Sequence, residues 1–428
     1  MTKAMKLALS RRFRHRSVLL VAVVFLFSSC AIIGLKQHIE TMEAFGVVTV
    51  RVSPPPDPSK PTYALAWISS NNQLRSAGLQ RIGADGVASF ILRIDRSYYI
   101  GAFTDLNGNN SYDVGEPGDY VSGITPVSLG DPNAQVKVLK LALHSNHNLP
   151  PGTTIAIPKE AKELGRQLDL ALGEIASFDD PQFTTDAGGS GLWRPLDFLS
   201  HHQPGIYFTE PYDPNRIPVL LVYGIGGTPQ DMRYLAEHFE RKRYQMWLFH
   251  YPSGIRLDRV SRSMATALLI LKERYGFTSC YVVAHSMGGL IARAGIDQAV
   301  RIAGVNYIRK FVSISTPWGG HSAASAGIRR LKKPVPSWLD VAPDSDFLKR
   351  TYATPLPSGT SHLLIYGSKE GGPFWLKGEN DGVVTVESET DPRIKKSAAR
   401  VVYLPYGHVD ILGQEKTLAE TLKFVGAN

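Results

Sequence analysis

The chain has 428 residues, of which 43% are hydrophobic, 10% aromatic and 20% charged. That balance excludes a disordered chain, a collagen-like repeat and a polytopic membrane protein; two cysteines exclude a disulfide-rich scaffold, and the length implies two or three cores of roughly 150 residues. The formal net charge of +9 is concentrated at the start: the first 29 residues hold six basic residues and no acid, and without them the balance is +3, too even to point to a nucleic-acid partner.

Basic residues up to Arg16 precede an uninterrupted apolar run at 18–27, and Ser28, Ser29 and Cys30 follow. A charged start, a short apolar stretch and small residues before a cleavage point describe an export signal over residues 1–29. The cysteine after small residues resembles a bacterial lipobox, with Phe27 where such motifs usually carry Leu, and this implies lipidation of Cys30. Two alternatives stay open: an uncleaved anchor, since residues 18–35 carry no charge and approach the length of a bilayer span, and simple secretion. The expectation is an extracytoplasmic protein held to a membrane by its N-terminal lipid. Ala31 stands where inner-membrane retention often uses Asp, so the outer membrane is the expected destination in a diderm cell. With Cys30 lipidated, Cys280 is left without a disulfide partner.

Residues 46–143 read as an all-β sandwich. Segments at 47–52, 63–68, 88–94, 98–103 and 136–143 are rich in β-branched and aromatic residues, with Pro, Gly, Asn and Asp between them. One loop carries oxygen donors at the spacing of a calcium loop: Asp105, Asn107, Asn109, the Ser111 carbonyl, Asp113 and Glu116 occupy positions 1, 3, 5, 7, 9 and 12. Position 6 is Asn110, which tolerates the left-handed backbone needed there. A structural calcium ion is the expectation, and a metal-free polar turn is the alternative.

Residues 144–205 read as a linker with one helix, at 161–175, where Leu164, Leu168, Ala171, Leu172 and Ile175 share a face. Trp193, Leu196, Phe198 and Leu199 read as packing residues.

From residue 206 to 428 apolar strands alternate with amphipathic helices, which predicts a mostly parallel sheet flanked by helices. Strands are expected at 218–223, 245–250, 279–284, 362–366 and 400–404. Thr228, Pro229 and Asp231 form a helix-start signal. The strongest motif follows the strand at 279–284: Ala284-His285-Ser286-Met287-Gly288, with helix-forming residues to Val300. A sharp strand-to-helix turn with small residues two before and two after a serine presents its Oγ above a sheet. A Gly-rich helix start without chemistry is the alternative. Gly224, Gly226 and Gly227 lack the acid and the full pattern of a dinucleotide loop.

These passages resemble the α/β-hydrolase superfamily, and in particular lipase-like serine esterases. The likeness rests on the glycine turn at 224–227 after its strand, the serine turn, Ser315-Thr316-Pro317-Trp318-Gly319-Gly320, Asn380-Asp381-Gly382-Val383-Val384, and Gly407-His408. It covers roughly half the chain. It implies Ser286 as nucleophile, His408 as base and Asp381 as the acid that orients it, in the chain order of that fold. The backbone N–H groups of Ile225 and Met287 are the implied oxyanion donors. Where many lipases have His-Gly, this chain has Tyr223-Gly224, which leaves the donor but not the usual side-chain bracing. His250, His321 and His362 are rival bases, Glu379 and Asp340 rival acids, and His285 reads as packing. Residues 318–359, with Trp318, Trp338 and a basic run at 329–333, are expected to cap the site, the basic run facing either an anionic membrane or plain solvent.

The resulting expectation is an α/β-hydrolase domain preceded by a small β sandwich, cleaving carboxylic esters or lipids through an acyl-enzyme and needing no cofactor for catalysis. A phospholipase, thioesterase, amidase or acyltransferase on the same three residues is the first alternative; a non-catalytic surface lipoprotein is the second. Acyl length, the ligand of the β module, protein partners and oligomeric state are not encoded in any motif.

Overall fold

The computed structural model describes residues 44–53, 59–70, 73–82, 86–108, 112–128, 137–145, 148–150, 170–331, 334–373 and 376–427. The signal segment 1–29, Cys30, Asn109, Ser111 and most of the helix expected at 161–175 lie outside these residues. Among the described residues no helix is long and apolar enough to cross a membrane.

The front module is two four-stranded sheets. In one, β1 (Phe45–Val52) pairs with β4 (Val87–Arg93), β7 (Val127–Ser128) and β8 (Lys137–Leu141); in the other the order is β3 (Gln73–Arg81), β2 (Thr62–Ser70), β5 (Tyr98–Thr104), β6 (Gly118–Ile124). The inner faces share one core, with Val48 and Phe90 from the first sheet against Ala64, Ala66, Ile100 and Ala102 from the second. Two sheets thus pack face to face over a common core, as in a sandwich. Three strands lie outside the expected segments: the two-residue β7, and β3 and β6, which form the two edges of their sheet. Edge strands have a solvent side and a polar composition, so they carry little apolar signal.

The second body is built on eight strands in the order β16-β15-β14-β13-β11-β12-β10-β9. These are β9 (Ala171–Ile175), β10 (Gly205–Phe208), β11 (Ile217–Val222), β12 (Tyr244–His250), β13 (Cys280–His285), β14 (Ile308–Ile314), β15 (Ser361–Gly367) and β16 (Arg400–Leu404). All pairs are parallel except β10 with β12. The central strands β12 and β13 are buried at every position, as a parallel sheet covered on both faces requires. Among the described residues this sheet begins at Ala171. The last five residues of the expected 161–175 helix are strand β9, whose Leu172 packs on the same core as the rest.

Helices Leu257–Tyr275 and Met287–Ala303 cover the sheet, each closed by a glycine in the left-handed conformation, Gly276 and Gly304. The helix start at Thr228 is realised by a bond from the Thr228 amide to the Asp231 carboxylate, at 3.0 Å. Between β14 and β15 lie three short helices, Ser322–Arg330, Pro336–Val341 and Asp346–Ala353. Trp318, expected in a cap, is instead core: it is fully buried with its ring edge-on to Phe311. Trp338 meets Trp193 edge to face, centroids 5.8 Å apart.

Candidate active site

Ser286 sits between β13 and the helix Met287–Ala303 with φ 54° and ψ −133°. A side chain with Cβ pays strain at positive φ, and it persists only where the surroundings fix it. Here the Ser286 amide donates to Ile314 O at 2.9 Å, holding the turn to β14. The turn also needs contact distances that only glycine allows. A Cβ on Gly288 would lie 2.2 Å from the Tyr223 carbonyl oxygen, and one on Gly224 would lie 2.8 Å from Ser286 Cβ. The spacing of small residues in the motif is thus a packing demand, with Ala284 supplying the small side chain in β13 between Val222 and Ser313.

The three residues singled out in sequence converge. His408 Nε2 is 2.9 Å from Ser286 Oγ, and His408 Nδ1 is 2.5 Å from Asp381 Oδ2. A carboxylate accepts only, so Nδ1 carries the proton and Nε2 is left to accept from the serine hydroxyl. The Asp381 side chain is fixed by amide donors from Val383 (2.9 Å) and Val384 (2.7 Å) to Oδ1. Its own carbonyl accepts the His408 amide at 2.9 Å, so Asp381 and His408 are joined through backbone as well as side chain. Ser286, Asp381 and His408 are all buried. Burial pushes the Asp381 carboxyl up, but His408 and the two amides outweigh it and hold the group below its ordinary value.

Ile225 is exposed in the turn after β11, whereas Met287 is buried at the first position of its helix. Among the described residues neither main-chain N–H is paired with a backbone carbonyl outside its own element, which is the state an oxyanion donor requires.

The rivals have other partners. His250 is buried among Phe183 and Phe198 rings, and His362 pairs with Ser313 Oγ at 2.9 Å. His321 accepts the Ala323 amide at the start of a helix. Asp340 is ion-paired with Arg256 and Glu379 is exposed. His285 is buried against the His408 ring and in addition has its Nε2 2.8 Å from the His408 carbonyl oxygen. Glu389, which no motif marked, is fully buried beside Asp381, and burial together with that negative charge pushes its carboxyl well above the ordinary value.

The loop at 105–116 closes on itself. Asp105 is fully buried and accepts the Gly108 amide at 2.6 Å; Glu116 accepts the Leu106 amide (2.7 Å) and the Asp113 amide (3.0 Å), one on each oxygen. Asn107 donates to Asp113 at 2.7 Å. The all-oxygen donor set suits a hard cation, but among the described residues no three acidic, His or Cys side chains converge as a metal site.

Residues 217–347 match the family described as alpha/beta hydrolase fold. No curated protein matches the chain. Among solved structures it is similar to the product of the gene lin2722 from Listeria innocua, at 20% identity over 50% of this chain and 95% of that one, TM-score 0.39. It is similar to the mature lipase BlEst2 of Bacillus licheniformis at 16% identity, over 51% and 97% of the two chains, TM-score 0.42. Phospholipase PlaB of Legionella pneumophila shares 16% identity over 41% and 45%, TM-score 0.34. The strand order, the strained serine turn and the family match together give this chain an α/β-hydrolase fold.

Proposed function

We propose that this hydrolase cleaves carboxylic esters through an acyl-enzyme on Ser286. The single observation that carries the reading is the continuous hydrogen-bonded path from Ser286 Oγ through His408 to Asp381, at 2.9 and 2.5 Å. Ser286 Oγ attacks the acyl carbonyl carbon as His408 Nε2 takes its proton. The oxyanion forms against the Ile225 and Met287 amides. Collapse expels the alcohol, which takes the proton back from His408. Water then attacks the acyl-enzyme, again giving its proton to His408, and the acid leaves with Ser286 restored. Asp381 stays ionised throughout and holds the Nδ1 proton. No cofactor enters these steps.

Covalent labelling by a fluorophosphonate at Ser286, lost in Ser286→Ala, is the expected result. An unlabelled, folded wild-type protein would overturn the proposal and favour a non-catalytic surface protein. Rates across acyl esters of rising length, a phospholipid, a thioester and an amide then assign the leaving group, since all of these reactions use the same three residues.

The proposal extends to the rest of the chain on sequence grounds. Residues 1–29 direct export, Cys30 carries the lipid, and the enzyme works tethered at a membrane surface outside the cytoplasm, at the outer membrane in a diderm cell. The 105–116 loop holds a structural calcium ion, for which Glu116 exchanges its two amide partners for the cation.

A further inference from the structure

The turn after β11 presents a problem of rigidity. An oxyanion donor is useful only if its N–H is fixed before charge develops. Yet the turn reads Gly224-Ile225-Gly226-Gly227, and glycine is the least restrained backbone the chain can use. Gly224 has no room for a side chain, being packed on Ser286, and Gly226 lies at φ 67°. Rigidity must therefore come from outside the turn.

It comes from the residues that leave β12. The Tyr223 hydroxyl donates to Tyr251 O at 2.5 Å and accepts the Tyr251 amide at 2.8 Å. In return the Tyr251 hydroxyl donates to Tyr223 O at 2.5 Å. The two rings stack with centroids 4.4 Å apart and planes 7° from parallel. Two residues further on, Ser253 Oγ accepts the Gly226 amide at 2.8 Å. The segment 251–253 thus grips residue 223 and residue 226, one on each side of Ile225. The Tyr223 carbonyl also abuts Gly288, next to Met287, so the same grip bears on both donors. Both phenols are fully buried, as a water-free hydrogen-bond network requires.

We propose that Tyr223, Tyr251 and Ser253 form a clamp that positions the Ile225 amide as oxyanion donor, replacing the His bracing this turn lacks. The inference rests on the serine-hydrolase reading above, and these are positioning residues, since none touches the reacting atoms.

Tyr251→Phe and Ser253→Ala test it. Phe keeps the ring stack and the main-chain bond to Tyr223 while deleting the hydroxyl that holds Tyr223 O. Loss of a whole oxyanion donor costs about 10²–10³ in kcat; loosening one should cost about tenfold in each variant, with KM within about twofold. The acid limb of the kcat/KM profile should stay in place because the Ser286–His408–Asp381 path is untouched. Amide exchange of the peptide spanning 223–228 should quicken in both variants. Unchanged exchange there, or folded variants with wild-type kcat, would overturn the clamp. The exchange measurement stands apart from catalysis: a wild-type protein that takes no fluorophosphonate would sink the hydrolase reading, while faster exchange in the variants would still establish the grip on the turn.

Discussion

His285 Nε2 lies 2.8 Å from the main-chain oxygen of His408, and the two imidazoles sit with centroids 4.8 Å apart. A carbonyl only accepts, so Nε2 carries the proton and His285 is a donor. His285, next to Ser286 in the chain, therefore fixes the backbone of His408. His285→Phe keeps the ring volume and deletes the donor, leaving a buried carbonyl unpaired at about 1–3 kcal/mol. We expect a lower unfolding temperature and, because His408 is less well placed against Ser286, a kcat loss of about tenfold with KM unchanged if the proposed hydrolysis holds. His285→Gln, which can still donate, should recover part of both. Equal activity in all three proteins would show that the bond does not position His408.

Burial pushes His250, His285 and His362 each down to about 3 from an ordinary 6.5. All three are neutral in the folded protein, and the unfolded chain binds their protons from about pH 6.5 downward. Their contribution is complete above 6.5 and is lost as pH falls toward 3, at roughly 1.4 kcal/mol per pH unit for each histidine. Urea midpoints at pH 7 and pH 5 should therefore differ strongly, the acid sample being the weaker. Equal midpoints would mean that these imidazoles are not neutral and buried together.

Glu389 acts with the opposite sign. Burial and the charge on Asp381 raise its carboxyl well above 4.5, while Asp381 itself is held low by His408. Two adjacent carboxyls in a dry site do not both ionise, so Glu389 is the neutral partner. A raised acid stabilises fully below its unfolded value and loses that contribution as pH climbs toward its folded one. Glu389→Gln has nothing to ionise. Its unfolding temperature should gain on the wild type as pH goes from 4 to 8. A constant difference across that range would show Glu389 to be charged in the fold.

Strands β11, β12, β13, β15 and β16 and the residues Ser286, Asp381 and His408 were legible because each leaves a linear trace, whereas β14 and β10 were not anticipated. Strands buried on both faces read as apolar runs, and the elbow imposes small residues at fixed spacing. β9 was misread because Leu168, Leu172 and Ile175 mimic a helical period while the chain in fact turns into an edge strand. The His285 bond depends on the backbone at Ser286, and the Tyr223–Tyr251 grip joins residues 28 apart, each just past the end of one of two neighbouring strands. Neither has a spacing that a sequence displays.

For the loop 105–116, proposed above to hold calcium, the buried Asp105 is the residue to test. Binding to the folded state alone raises stability by mass action. Unfolding in excess calcium should occur at a higher temperature than in chelator, and Asp105→Ala should abolish the difference. Identical melting of the wild type in both conditions would remove the metal from this loop.

Asp340 has a structural task distinct from that of Asp381. Its carboxylate, fully buried, takes two bonds from Arg256 at 2.7 and 2.9 Å and the Leu257 amide at 2.7 Å. It thereby pins the short helix Pro336–Val341 to the start of the helix Leu257–Tyr275, where unpaired amides need an acceptor. Removing one partner of a buried pair leaves the other charge uncompensated, which costs about 3 kcal/mol or more. Asp340→Asn should melt well below the wild type yet still take a fluorophosphonate on Ser286, since Asp340 bonds to none of the three residues on that path. The reverse outcome, normal melting with labelling lost, would make Asp340 rather than Asp381 the acid that serves His408.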